Sequence, residues 1–114
     1  MFATIKIGDK AVPMLSKASC NLYYKAIFGS DPIRLQTDRD ATAGDSIEFA
    51  MQMGYVFAKA AEAQGDRSKM LNLNMDTYTD WLDQFETKDL LAALEPILRL
   101  YNGEAPDSKE KKAE

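Results

Sequence analysis

The sequence predicts an α+β fold that is mostly α: a small N-terminal β-hairpin packed on about four helices, with a disordered C-terminal tail. Two observations carry that prediction. The first fifteen residues alternate as two short strands about a tight turn, and the next ninety hold apolar residues mainly at helical spacing. The length, 114 residues of which 46% are hydrophobic, fits one small domain with no room for a second. We expect a single compact domain over residues 1–103 and a flexible charged tail over 104–114.

Ala3-Thr4-Ile5-Lys6-Ile7 alternates as a half-buried strand, Gly8-Asp9-Lys10 reverses the chain, and Ala11-Val12-Pro13-Met14-Leu15 returns antiparallel. A hairpin this small is unstable alone and must lie on something apolar. The next segment supplies it. Ser16 reads as an N-cap, Cys20, Tyr23, Tyr24 and Ile27 share a helix face, and Gly29 after Phe28 ends the helix.

A polar stretch follows from Ser30 to Gly44, in which only Ile33 and Leu35 look anchored. In the second helix Asp45 and Glu48 have the spacing of a capping pair. Ile47, Ala50, Met51, Gly54, Tyr55, Ala58 and Ala61 hold one face until Gly65, while Phe49, Met53, Val56 and Phe57 occupy much of the other. A helix apolar nearly all round is either central or shared with another subunit. Its methionines suit either ordinary core filling or an adaptable contact surface.

After a polar break from Gln64 to Ser68, a third helix is predicted near residues 76–86. Tyr78, Trp81, Leu82 and Phe85 lie on one face, and Asp76, Asp80, Asp83 and Glu86 on the other. Asn72, Asn74 and Asp76 alternate like the first ligands of a calcium loop. That loop needs glycine where Thr77 stands and a closing glutamate where Asp83 stands, and its path would destroy the amphipathic helix, so a solvated acidic face is the better reading. Thr87 caps a fourth helix with Leu90, Leu94, Ile97, Leu98 and Tyr101 as its buried stripe, ending at Asn102-Gly103. Pro96 predicts a kink, or a restart with Glu95 at the boundary.

Composition excludes several functions. There is no histidine, so the usual proton shuttle and commonest zinc ligand are missing. The single cysteine, Cys20, lies on an apolar face and reads as a buried small hydrophobe. No nucleotide-binding glycine motif or nucleophile elbow occurs. Asp38 and Asp40 have no nucleophile or apolar surroundings beside them in sequence to make an acid and base pair. We expect no catalytic residue, metal or cofactor. No apolar run approaches the roughly 20 residues of a membrane helix, and no secretory leader is evident, which predicts a soluble intracellular protein.

Net charge is -4 and unevenly spread. Residues 1–40 carry six Lys or Arg against four acids, and residues 41–106 five against eleven. No predicted helix offers the basic stripe that duplex binding requires, which argues against nucleic acid. A charge-complementary protein, or a neighbouring copy, fits the asymmetry better. The candidate residues for partner binding or self-association are Met51, Met53, Tyr55, Phe57, Tyr78, Trp81 and Phe85. Of these, Tyr78, Trp81 and Phe85 are expected to be core first, meeting a partner only at their edges.

The hairpin Ile5-Lys6-Ile7-Gly8-Asp9-Lys10 to Val12-Pro13-Met14, the helix Leu22-Tyr23-Tyr24-Lys25-Ala26-Ile27-Phe28-Gly29 with Asp31 after it, the segment Tyr78-Thr79-Asp80-Trp81-Leu82 and the closing Leu98-Arg99-Leu100-Tyr101 resemble, in order and spacing, the tail assembly chaperones of long-tailed bacteriophages and prophages of Gram-positive hosts. The resemblance implies a non-catalytic protein in the cytoplasm of the bacterial host that coats the tape-measure protein before tail-tube subunits polymerise around it. A permanent tail or connector component is the neighbouring alternative. A small helical DNA-binding regulator is the alternative from another class, disfavoured by the acidic third helix. The resemblance also implies a second product made by a ribosomal frameshift near the end. Glu110-Lys111-Lys112 can be encoded as GAA-AAA-AAG, a run on which such a slip would occur. The gene decides it: a slippery run at codons 110–112 with an overlapping downstream frame supports the second product, and the absence of either excludes a slip at this site.

Overall fold

The computed structural model describes residues 1–29 and 43–105. The expected anchoring of Ile33 and Leu35, the Asp38 and Asp40 pair, and the tail from residue 106 onward, with the slip site in it, lie outside the described residues. The fold is α+β. Strands β1 (Phe2–Ile7) and β2 (Lys10–Leu15) form the hairpin. Six helices follow among the described residues: α1 (Cys20–Phe28), α2 (Ala43–Ala63), α3 (Arg67–Met70), α4 (Met75–Leu82), α5 (Thr87–Ala92) and α6 (Leu94–Tyr101).

The hairpin register runs from Phe2 opposite Leu15 to Ile7 opposite Lys10, leaving Gly8 and Asp9 as a two-residue turn. Gly8 has φ +63° and Asp9 does not share the positive φ, as a type II′ turn requires. The missing side chain at Gly8 also lets α5 approach, because a Cβ there would sit 2.6 Å from Asp89 Oδ2. Ser16 is not the expected N-cap. Its amide donates to Met1 O at 2.8 Å and its carbonyl accepts from Met1 N at 2.6 Å, extending the ladder beyond the strands. Ser19 takes the cap position of α1, without a side-chain hydrogen bond, and Gly29 in the left-handed region ends the helix.

Helix α2 is the centre of the molecule, with β2, α1, α3, α4 and α6 packed around it. Its described span begins at Ala43, so the expected cap position Asp45 lies within it. Phe49, Ala50, Met53, Tyr55, Val56, Phe57 and Ala58 are all at most 1% exposed. The all-round apolar character thus reflects burial within the chain's own fold. Gly54 is where α6 comes closest: a Cβ there would lie 2.8 Å from Ile97 Cδ1.

The expected polar break beyond Gln64 contains the single turn of α3. Asp66 caps it by accepting from Ser68 Oγ at 2.6 Å and from Ser68 N at 3.0 Å, bonds that hold its carboxyl below the usual range. Met70, which no periodicity flagged, is buried there. Helix α4 starts at Met75 and stops at Leu82, shorter than expected. Asn74 accepts from Thr77 N at 3.0 Å while Thr77 Oγ1 accepts from Asn74 N at 2.9 Å, a reciprocal capping box. The predicted fourth helix is two. The chain breaks at Ala93, not at Glu95, which puts Pro96 in the first turn of α6 where its missing N–H is not needed. Glu104, expected to begin the tail, belongs to the end of this element: its amide donates to Arg99 O at 2.8 Å and that of Gly103 to Leu100 O at 3.1 Å, a Schellman motif. Tyr101 OH ties α6 to α1 through Asn21 Oδ1 at 3.0 Å.

Candidate functional site

The seven candidate contact residues separate by depth. Met53, Tyr55 and Phe57 are fully buried on α2, beneath the elements packed around it, and a partner cannot reach them without opening the fold. Tyr78 and Trp81 are core residues at 6% and 3% exposure, and Met51 and Phe85 are partly buried against the core. An unbroken run of aromatic contacts fixes α4 on the body. Phe28 meets Tyr78 at 5.0 Å between centroids, Tyr78 meets Tyr55 at 5.3 Å, Tyr55 meets Trp81 at 5.8 Å, and Trp81 meets Phe85 at 5.0 Å, all edge-on or nearly so. The Tyr55 hydroxyl is hydrogen bonded to Thr77 Oγ1, joining α2 to the capping box of α4. Lys10 Nζ sits 5.7 Å from the Phe85 ring, which covers that ring from the hairpin side.

Where the N-terminal turns of α2 and α4 converge, a shallow groove of about 450 Å³ opens. Ile47 and Met51 form one wall, Met75 the other, and Tyr78 lies between, with Glu48 and Gln52 adding polar atoms. Ile47 is 39% and Met75 52% exposed, so the walls present apolar surface to solvent. Under them the polar atoms are connected: Tyr24 OH donates to Gln52 Oε1 at 2.6 Å, and Gln52 Nε2 donates to Glu48 Oε1 at 3.2 Å. Burial, and secondarily the Glu48 charge, pushes the Tyr24 and Tyr78 hydroxyls up to about 12. Both are protonated at neutral pH, and the Tyr24 hydroxyl is the one that donates, to Gln52 Oε1.

The groove contains Met51 and Tyr78 from the expected set but not Trp81 or Phe85, which pack farther along α4. Ile47 and Met75 were not among the expected contacts. The sequence assigned Ile47 to a core face and set Met75 ahead of its helix; the only signal for either was a large apolar residue near a helix start. A soft apolar trough with one acidic edge suits van der Waals contact with a side chain or helix ridge. Among the described residues, no group of three or more acidic or cysteine side chains is placed to hold a metal ion. No described helix is long and apolar enough to cross a membrane. No protein-family model, curated protein or solved structure matches the chain.

Proposed function

We propose that this chain is a non-catalytic assembly chaperone that shields an apolar helix of a partner protein in the groove between α2 and α4. The observation that carries this reading is a rim of exposed Ile47 and Met75 with half-buried Met51 beside them, over the Tyr78 ring. Thioether and branched aliphatic walls adapt to different side chains, while the Tyr24, Gln52 and Glu48 hydrogen bonds hold the polar atoms beside them in place. Asp76, Asp80, Asp83 and Glu86, all exposed, supply a charged flank that keeps such a complex from aggregating. The resemblance in motif order narrows the partner to the tape-measure protein of a phage tail, with tail-tube subunits and further copies of the chain as later contacts in the cytoplasm of the bacterial host.

Co-purification with the product of a very long gene downstream of a tail-tube gene tests the assignment. Met51→Glu combined with Met75→Glu should weaken that complex by about tenfold or more, since a buried carboxylate without a partner costs several kcal/mol. Met75→Glu alone should weaken it with a nearly unchanged melting temperature, because Met75 is 52% exposed, whereas Met51 packs partly on the core and its substitution also lowers stability. Undiminished binding by the double variant removes the groove from the mechanism. A genome neighbourhood without tail genes removes the tape measure as partner.

A further inference from the structure

A second groove, remote from the first, lies between the start of α1, the end of α2 and α3, with a volume of about 490 Å³. Its floor is apolar, built from Tyr23, Ala60 and Met70, and Leu22 stands on its edge at 72% exposure. Leu71, the residue after Met70, is 75% exposed. Lys17 precedes α1 on one side and Arg67 opens α3 on the other. Among the described residues, neither has a carboxylate within salt-bridge distance. The one acid in the lining, Asp66, accepts from the amide and hydroxyl of Ser68 and keeps its charge, so the lining holds two cations against one carboxylate. Cys20 also lines the groove, but it is 2% exposed, its thiol is pushed up by burial and Sγ donates to Leu15 O at 3.5 Å, so covalent chemistry is not what the groove offers.

We propose that this groove docks an acidic, leucine-anchored helical segment of a partner protein. Charge complementarity selects the occupant: two cations flanking an apolar floor match carboxylates on either side of an apolar ridge. Leu22, exposed at the edge, offers a contact to the ridge of such a helix outside the floor. A phosphate-rich surface is a poorer match, because the cations are two rather than a clustered field. This site is independent of the groove between α2 and α4.

The test is a titration of the isotope-labelled full chain, followed by amide resonances, with two synthetic amphipathic helices. One carries leucines at i, i+3, i+4 and i+7 flanked by glutamates, and the other has lysines in place of the glutamates. The acidic helix should shift resonances of residues 17–23 and 60–71 and the lysine version should not. Lys17→Glu combined with Arg67→Glu should weaken the acidic helix by about tenfold and leave the unliganded spectrum dispersed, since both side chains are exposed. Leu22→Ser should weaken it without altering its preference for acid over base. Equal binding of the two helices, shifts confined to residues 47–52 and 75–78, or no shifts at all would overturn the proposal. So would phosphatidylglycerol vesicles or dodecanoate perturbing residues 17–23 and 60–71 while the acidic helix does not, which would reassign the groove to a lipid.

Discussion

Trp81→Ala is expected to lower folding stability by about 3–5 kcal/mol, the range for truncating a buried large aromatic. Trp81 is 3% exposed and is held between Tyr55, 5.8 Å away, and Phe85, 5.0 Å away, both edge-on. Removing the indole leaves a cavity between α4 and α2, and both rings lose the edge contact that orients them. In a domain of this size, each kcal/mol moves the melting temperature by several degrees, so the midpoint should fall by on the order of 15 °C. Phe85→Ala should cost less, because Phe85 lies past the end of α4 and is only partly buried. Thermal melts of the two variants measure the difference. An unchanged midpoint in Trp81→Ala, with partner binding lost, would make Trp81 a surface contact and contradict its position in the core.

The aromatic spacing of Tyr78, Trp81 and Phe85 was legible because helical periodicity is a local property, and the same is true of the hairpin and of the helix ends at Gly29 and Gly103. Boundaries set by competition were not. Ser16 has the chemistry of a cap, yet its backbone was claimed by Met1, a partner fifteen residues away that no local rule identifies. Pro96 announced an interruption, but the break moved to Ala93 because a proline placed in a first turn costs no backbone bond, whereas a kink would.

The groove was harder to see than the core for a related reason. Helix α2 is apolar on every side, and sequence alone does not reveal which of those sides the rest of the chain covers. Met51 and Met53 are two residues apart and equivalent in composition, yet Met53 is fully buried while Met51 lines the groove. What separates them is the place where α4 crosses α2, fixed by the Tyr55 to Thr77 bond and the Phe28 to Tyr78 contact. Those are long-range contacts, and they also bring Met75 across from Ile47.

The buried tyrosines that support this groove give the second large effect, a steep loss of stability in alkali. Tyr24 and Tyr78 are 1% and 6% exposed, and both hydroxyls titrate near about 12 in the fold against 10.0 for the free side chain. Between these two values the unfolded chain has released protons that the folded chain still holds, so unfolding becomes more favourable as pH rises. The stabilisation is complete below pH about 10 and is lost progressively up to about 12. At about 1.4 kcal/mol per tenfold change in proton affinity, each tyrosine contributes on the order of 2–3 kcal/mol to the loss. Burial is the main cause for both and Glu48 the second, so the two ionisations oppose each other's neighbours and the sum is an upper figure. Urea unfolding measured from pH 8 to 12 should show this decline. Tyr24→Phe should lower stability at neutral pH, because Gln52 Oε1 loses its 2.6 Å donor in a buried setting, yet flatten the alkaline slope. Tyr78→Phe should flatten the slope with little change at neutral pH, because no group among the described residues accepts from its hydroxyl. A double variant as steep as the original would place the alkaline transition elsewhere, and the floor of the groove would then not be the titrating part of the fold.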